Sequence, residues 1–258
     1  MKHVMTYSPR LVLAAGMVVW ALGCSTNPYT QRSQVVMTSP SYESELGAAA
    51  YQSILADPLT HISRDPAEIL PVQRVAARII DAAKQSKYSD IARSFEWDIA
   101  VIDDDGIRNA VALPGGKLLV YTGLFPIAKN EAGLAAVLAH EVVHALARHS
   151  AEQLTYDAFR IKIWSDTLPF TRNHESEADY IGLLLTAEAG YDPREAVNMW
   201  IRMKESGDKP PPEYLSTHPS YDTRISQLET HMPEARALFE RTRLAPVAEL
   251  PRLMGDEG

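Results

Sequence analysis

The segment His140-Glu141-Val142-Val143-His144 constrains this chain most, because it sets two imidazoles four residues apart with a carboxylate beside the first. On a helix, a four-residue step leaves a rotation of only about 40°, so both rings lie on one face at the separation of metal ligands. Asn130 is suited to cap such a helix, and apolar residues recur at helical spacing up to about Ser150. The pattern is typical of zinc-assisted peptide hydrolysis, with Glu141 beside the reacting water.

An ordinary core helix that happens to carry these residues is the alternative. His140, Glu141 and His144 would then interrupt an Ala/Leu/Val surface, and each buried polar group without a partner costs about 1–3 kcal/mol. The metal interpretation gives these groups a partner and is favoured.

A catalytic zinc needs a third protein ligand and an open position for water. The acidic segment 173–179 opens the next strongly helical run, which stops at Gly190. Glu175 and Glu177 could both reach a metal on composition alone. Only Glu175 pairs with Asp179 at the four-residue spacing that lets one carboxylate bind metal while the other holds a ligand imidazole. Glu177 lies about 200° away from Glu175 around the helix, so we do not expect it to bind the metal. Without the upstream motif, the same acidic turn would indicate only a favourable interaction with the helix dipole.

Two apolar segments, 97–101 and 117–122, predict strands, and we expect them to be antiparallel. Between them lies the segment expected to form an exposed edge near the metal, where the backbone of an extended substrate would pair. Its residues are Asn109, Ala110, Pro114, Gly115 and Gly116. A small structural sheet packed on the zinc helix is an equally compatible interpretation.

Several segments in this order resemble a known family. They are His-Glu-x-x-His followed by Glu-x-x-x-Asp, an Asn-Ala, Pro-Gly-Gly and Gly-Leu segment at 109–124, and Ser-Thr-His-Pro at 216–219 followed by Arg224. These are similar to the motifs of the zinc metallopeptidase family that contains HtpX, the CAAX prenyl proteases and the Oma-type peptidases, which are gluzincins. The resemblance covers about residues 41–238.

The resemblance implies an α+β, mainly helical fold with a small antiparallel sheet beside the zinc-binding helix. It also implies one zinc per chain, bound by His140, His144 and Glu175, with Glu141 as the general base and Asp179 supporting a ligand histidine.

His218 lies in a proline-rich loop and has three interpretations. It is a catalytic donor to the oxyanion, a fourth ligand that keeps the enzyme latent, or a residue that pins the loop. Arg224 is expected to be a structural partner of this region. Among the other histidines, His149 leaves the ligand face by helical spacing, and His174 is placed at the mouth of the site.

The N-terminus predicts location. Two basic residues, Lys2 and Arg10, precede an apolar stretch at 11–22. This stretch is too short to span a bilayer but suits the core of a signal peptide. The following Cys24 resembles the lipidated cysteine of a bacterial lipoprotein, and the same resemblance implies, from Ser25 after it, sorting to the outer membrane. Cys24 is the only cysteine, so no intramolecular disulfide can form.

These features divide the chain into a signal peptide (1–23), a lipidated tether (24–40), a metallopeptidase domain (41–240) and a flexible tail (241–258). Segment 156–172 is predicted to be either a lid or, in its first half, an ordinary amphipathic helix. The net charge of −8 argues against nucleic acid as a partner.

The sequence thus predicts a zinc endopeptidase, lipid-anchored at the periplasmic face of the outer membrane, and the resemblance implies that it degrades unfolded or misassembled envelope proteins. Partners would be such polypeptides, the membrane through the lipid, and the outer-membrane assembly machinery. The alternative is a chaperone-like binding protein that assists outer-membrane protein assembly, with its zinc site shut by His218.

Overall fold

The computed structural model of the protein describes residues 24–158, 168–206, 220–243 and 250. Five strands are described: β1 (Cys24–Thr26), β2 (Ser33–Val35), β3 (Asp98–Ile102), β4 (Ala110–Leu113) and β5 (Lys117–Tyr121). The described helices are α1 (Pro40–Ala56), α2 (Pro66–Ala83), α3 (Ser89–Ser94), α4 (Phe125–Ala128), α5 (Glu131–Leu146), α6 (His149–Ala158), α7 (Leu168–Glu188), α8 (Arg194–Glu205) and α9 (Tyr221–Thr242). This mainly helical architecture confirms the expected fold class.

Helix α5, which carries the His-Glu-x-x-His segment, lies at the centre of the core. Its start is capped as the sequence predicts, since the side-chain oxygen of Asn130 accepts a 2.9 Å hydrogen bond from the Gly133 N–H. Helices α2, α7 and α8 and strand β4 all contact it. Gly182 of α7 permits a close approach, because an added Cβ would lie 3.0 Å from the Cα of His140. The two helices that carry the predicted ligands are therefore held together directly behind the site.

The three-stranded sheet beside α5 has the order β3-β5-β4. Strands β4 and β5 form an antiparallel hairpin, but β3 pairs parallel with β5, as in Asp98 opposite Lys117. The expectation that segments 97–101 and 117–122 pair antiparallel is therefore wrong. Strand β4 lies between them in the chain and runs opposite to β3. Strand β5 runs opposite to β4, so it is parallel to β3.

The turn between β4 and β5 lies beneath α1. Gly115 and Gly116 have φ values of 80° and 88°, in the left-handed region that favours glycine. A Cβ at Gly47 of α1 would overlap the carbonyl oxygen of Pro114, and one at Gly115 would lie 2.9 Å from the Cα of Ser44. These residues thus form a tight turn and a close helix contact, whereas β4, which precedes the turn, packs against α5.

The N-terminal segment differs from the expected tether over residues 24–40. Strands β1 and β2 form an antiparallel hairpin, and Asn27 between them is fully buried. Gln34 donates a 2.9 Å hydrogen bond to the carbonyl of Ala147, just beyond α5. Buried polar contacts of this kind bind the segment to the domain, so the domain begins before residue 41.

The remaining boundaries also shift. Helix α7 begins at Leu168 rather than near Asn173, which is compatible with Pro169 because the first helical turn tolerates proline. Helices α6 and α7 contain both ends of segment 156–172, while 159–167 lie outside the described residues. Part of the expected flexible tail is ordered: the hydroxyl of Thr242 donates to the Ala187 carbonyl, and Leu250 is buried. None of the described helices is both long and apolar enough to cross a membrane.

Candidate metal centre

Three of the predicted ligands converge between α5 and α7. The Nε2 atoms of His140 and His144 are 3.2 Å apart. Each lies 3.4 Å from one carboxylate oxygen of Glu175. Ligand atoms about 2.1 Å from a tetrahedral zinc would be about 3.4 Å from one another, so this donor set fits zinc in both chemistry and spacing. In the described part of the chain, it is the one group of metal-ligating side chains with donor atoms within 4.8 Å of one another.

Glu141 lies beside these ligands and lines a cavity of about 650 Å³. Burial raises the pKa of its carboxyl, although the neighbouring charge of His140 opposes the shift. The carboxyl is also hydrogen-bonded to the Ala112 backbone of β4. A carboxylate with a pKa moved towards neutrality is suited to accept and release a proton.

The second ring nitrogen of His140, Nδ1, is held by residues of α7 and α9. Its Nδ1 lies 3.0 Å from Asp179, and Asp179 accepts a 2.8 Å hydrogen bond from the Nε of Arg224 in α9. Arg224 is buried and its guanidinium lies 3.6 Å from the ring centre of Trp200. Burial and the charge of Arg224 oppose protonation, but the hydrogen bonds that protonated His140 donates to Asp179 and Glu175 outweigh them and raise its pKa to about 9. Asp179 and Arg224 therefore lie where supporting residues are expected.

The second ring nitrogen of His144, Nδ1, is held by contacts that the sequence did not predict. Its Nδ1 lies 3.0 Å from the Nδ1 of His149, whose Nε2 lies 3.1 Å from Glu177. Burial lowers the pKa of His149 to about 4, although the hydrogen bond that His149 donates to Glu177 opposes the shift. Helical spacing could not place His149, because α5 ends at Leu146 and Arg148 adopts a left-handed φ of 58° before α6 begins. His149 contacts a ligand without itself joining the ligand set.

Glu177 and His174 belong to the same buried cluster. Arg32 from the N-terminal hairpin donates to Glu177 and to Glu152, both at 2.8–2.9 Å. Glu152 also lies 2.9 Å from His174, whose ring stacks on that of His149 at 4.2 Å. His174 is thus buried rather than at the mouth of the site. Glu177 contacts His149, Thr30 and Arg32 and is not part of the candidate ligand group.

The cavity places an edge strand beside the ligands. Residues 106–112, which include Asn109 and Ala110, line it together with His140, Glu141 and Trp200. Within the described residues, β4 pairs with a strand on one side only. His218 lies outside the described residues, so its three interpretations stay predictions.

Comparison with known proteins gives a consistent result. The model of Peptidase family M48 matches residues 67–164 and 158–232. The chain is 31% identical over 245 residues to the mitochondrial metalloendopeptidase OMA1 of Saccharomyces cerevisiae, covering 83% of this chain and 71% of that protein. It is 33% identical over 257 residues to OMA1 of Schizosaccharomyces pombe, covering 89% and 72%. It is 30% identical over 158 residues to the beta-barrel assembly-enhancing protease of Yersinia pestis, covering 49% and 32%.

These matches confirm the resemblance that the motifs indicate. The family match spans α2 to α9 and contains His140, Glu141, His144, Glu175 and Asp179, while the N-terminal hairpin and α1 lie outside it. The chain belongs to peptidase family M48, a family of zinc metallopeptidases, and is a metalloprotease.

Proposed function

We propose that this protein is a zinc endopeptidase that cleaves unfolded or misassembled polypeptides of the bacterial envelope, with one zinc per chain. The observation that carries the proposal is the convergence of His140, His144 and Glu175 beside Glu141, at distances that fit a tetrahedral zinc. These side chains line the same cavity as the edge strand β4.

In the proposed mechanism, His140, His144 and Glu175 hold the metal. Zinc, when bound, supplies a Lewis acid that polarises the scissile carbonyl and lowers the pKa of water. Glu141 accepts a proton from the attacking water and delivers it to the leaving amide nitrogen. Its raised pKa favours the first transfer, because the carboxylate then accepts the proton more readily and retains it until the C–N bond breaks.

The edge strand supplies substrate binding in this proposal. An extended polypeptide would pair its backbone with β4 and pass over His140 and Glu141. Main-chain pairing tolerates many sequences but requires an extended chain, which selects unfolded segments over folded domains. The cavity is large enough for side chains on both sides of the scissile bond.

The proposed location is the periplasmic face of the outer membrane, through a lipid on Cys24. Support comes from the leader-like sequence before Cys24 and from the similarity to proteins named beta-barrel assembly-enhancing protease. Since β1 begins at Cys24 itself, the lipid would hold the domain close to the membrane surface. A Cys24→Ser variant should move from the membrane fraction to the soluble fraction and lose labelling by a radioactive fatty acid. A labelled Cys24→Ser product would contradict the anchor.

The activity is tested by digesting casein with purified protein and its Glu141→Gln variant. We expect digestion to be abolished in the variant while zinc content stays near one per chain, because the base is not a ligand. Glu188→Gln is a matched control, since Glu188 is also a half-buried glutamate whose pKa is raised by burial, but it lies far along α7. Loss of zinc in Glu141→Gln would contradict its role. Absence of digestion by the wild type, with suppression of aggregation retained, would favour the binding-protein alternative.

A further inference from the structure

The tautomers of His144 and His149 are linked. If Nε2 of His144 faces the metal, its Nδ1 carries the proton and needs an acceptor. The nearest ring nitrogen is Nδ1 of His149 at 3.0 Å, which can accept only if the proton of His149 lies on Nε2. That Nε2 lies 3.1 Å from a carboxylate oxygen of Glu177. One assignment of protons therefore satisfies both contacts and leads from the metal position to a buried carboxylate.

The carboxylate of Glu177 is itself held by the N-terminal hairpin. Arg32 donates through Nε and Nη2 to its two oxygens, both at 2.9 Å, and Thr30 donates through its hydroxyl at 2.5 Å. Arg32 also forms two hydrogen bonds with Glu152, which is fully buried. Charge-assisted, bidentate contacts of this kind impose direction as well as stability.

The face of His149 is held as well. The ring of His174 stacks on it with an angle of 9° between their planes, and His174 lies 2.9 Å from Glu152. Arg32 thus fixes both carboxylates that hold the two imidazoles. A rotation of His149 would break its contacts with His144 and Glu177 together.

We propose that His149 and Glu177 are positioning residues that orient His144 for the metal, and that Arg32 makes the N-terminal hairpin part of the metal centre. The proposal rests on the metal site proposed above. It goes beyond the family match, because that match begins at residue 67, whereas Arg32 and Thr30 precede it. A protein of this kind truncated to its family-matched region would keep its candidate ligands but lose support for one of them.

The test compares Glu177→Gln with Glu43→Gln in the full chain. Glu43 is a matched control, because its ion pair with Arg148 also joins the N-terminal region to the end of α5 and is similarly buried, with side-chain exposures of 21% and 8% against 20% and 5% for Arg32 and Glu177. Zinc release to a chelator is followed with an indicator dye, and thermal unfolding verifies that each variant is folded. We expect release to be about 10–100-fold faster in Glu177→Gln and nearly unchanged in Glu43→Gln.

A second pair of variants separates positioning from general stability. His149→Ala should accelerate zinc release and alter the visible spectrum of the cobalt-substituted protein, which reports ligand geometry. His149→Gln should restore both in part, since its amide oxygen can accept from His144. Equal release from the wild type, Glu177→Gln and His149→Ala would overturn the proposal, as would equal acceleration in Glu43→Gln. If the wild type bound no zinc, or bound it independently of Glu175, the metal site itself would fail instead.

Discussion

The two histidines of the metal centre are supported by different parts of the chain. His140 reaches a carboxylate directly, through Asp179, and the arginine behind that carboxylate is Arg224 of α9. His144 reaches a carboxylate through a second imidazole, His149, and the arginine behind Glu177 is Arg32 of the N-terminal hairpin. Both sides end in a carboxylate paired with an arginine. On the first side the carboxylate contacts the ligand histidine directly, and on the second side His149 lies between them.

The difference shows how one chemical requirement can be met by local and by distant sequence. Asp179 follows Glu175 by one helical step, so the His140 side comes with the ligand itself. The His144 side depends on a helix break at Arg148 and on Arg32, which lies 145 residues before Glu177. The first lies within the family match, and the second extends beyond it.

The largest effect is expected where the two sides meet. Glu175 contacts both imidazoles, so Glu175→Ala should lose nearly all zinc on dialysis and all digestion of casein. Metal content per chain, measured by atomic absorption, tests this. Full retention of zinc in Glu175→Ala would mean that another residue supplies the third ligand.

The two arginines allow a direct comparison of stability. Arg224→Ala should lower the free energy of unfolding of the metal-free protein by about 3–5 kcal/mol, because it leaves two buried carboxylates, Asp179 and Glu175, with His140 as their remaining cationic contact. Arg32→Ala should cost less, since the Arg32 side chain is 20% exposed against 1% for Arg224 and water can reach the site. Urea unfolding measures both values. An Arg32→Ala variant less stable than Arg224→Ala would reverse the comparison.

Removing the support on each side should weaken zinc binding separately. Asp179→Asn should lower zinc affinity about 10–100-fold, as expected for a residue that orients a ligand. Because Asp179 and Glu177 act on different imidazoles, the double variant with Glu177→Gln should show the product of the two effects, to within about 0.5 kcal/mol. Competition with a chelator of known affinity gives the constants. A double variant no weaker than Asp179→Asn would show that the two sides are not independent.

The last prediction concerns protons. The raised pKa of His140, about 9, means that the metal-free protein holds a proton there below that pH and loses it above. Burial, together with the charges of His140 and His149, lowers the pKa of His144, so this ring starts neutral. Zinc binding should thus release one proton, and affinity should rise about tenfold per pH unit from about 7 to 9 before levelling off. Calorimetry in two buffers of different ionisation enthalpy counts the proton. Asp179→Asn should move the plateau to lower pH, and an unchanged plateau would contradict the assignment to His140.

The sequence predicted the parts of the site that lie on single helices. His140 and His144 share a face of α5 with Glu141 beside it, and Glu175 and Asp179 share a face of α7, because helical periodicity is a local property. It failed at β3 and β5, whose pairing direction depends on β4 between them. It excluded His149 from the ligand set correctly, but it did not predict the contact of His149 with His144, because Arg148 interrupts the helix between them.

By itself, then, the sequence determined the family, the fold class and the candidate ligand set, since these follow from motif order and helical spacing. The tertiary structure decided how the ligands are held. It packed the expected tether against the domain, placed Arg32 between Glu152 and Glu177, and brought His149 to His144. Such contacts join residues far apart in the chain through buried charges. The desolvation cost of these charges is offset only when every partner is present, so local sequence patterns do not predict them.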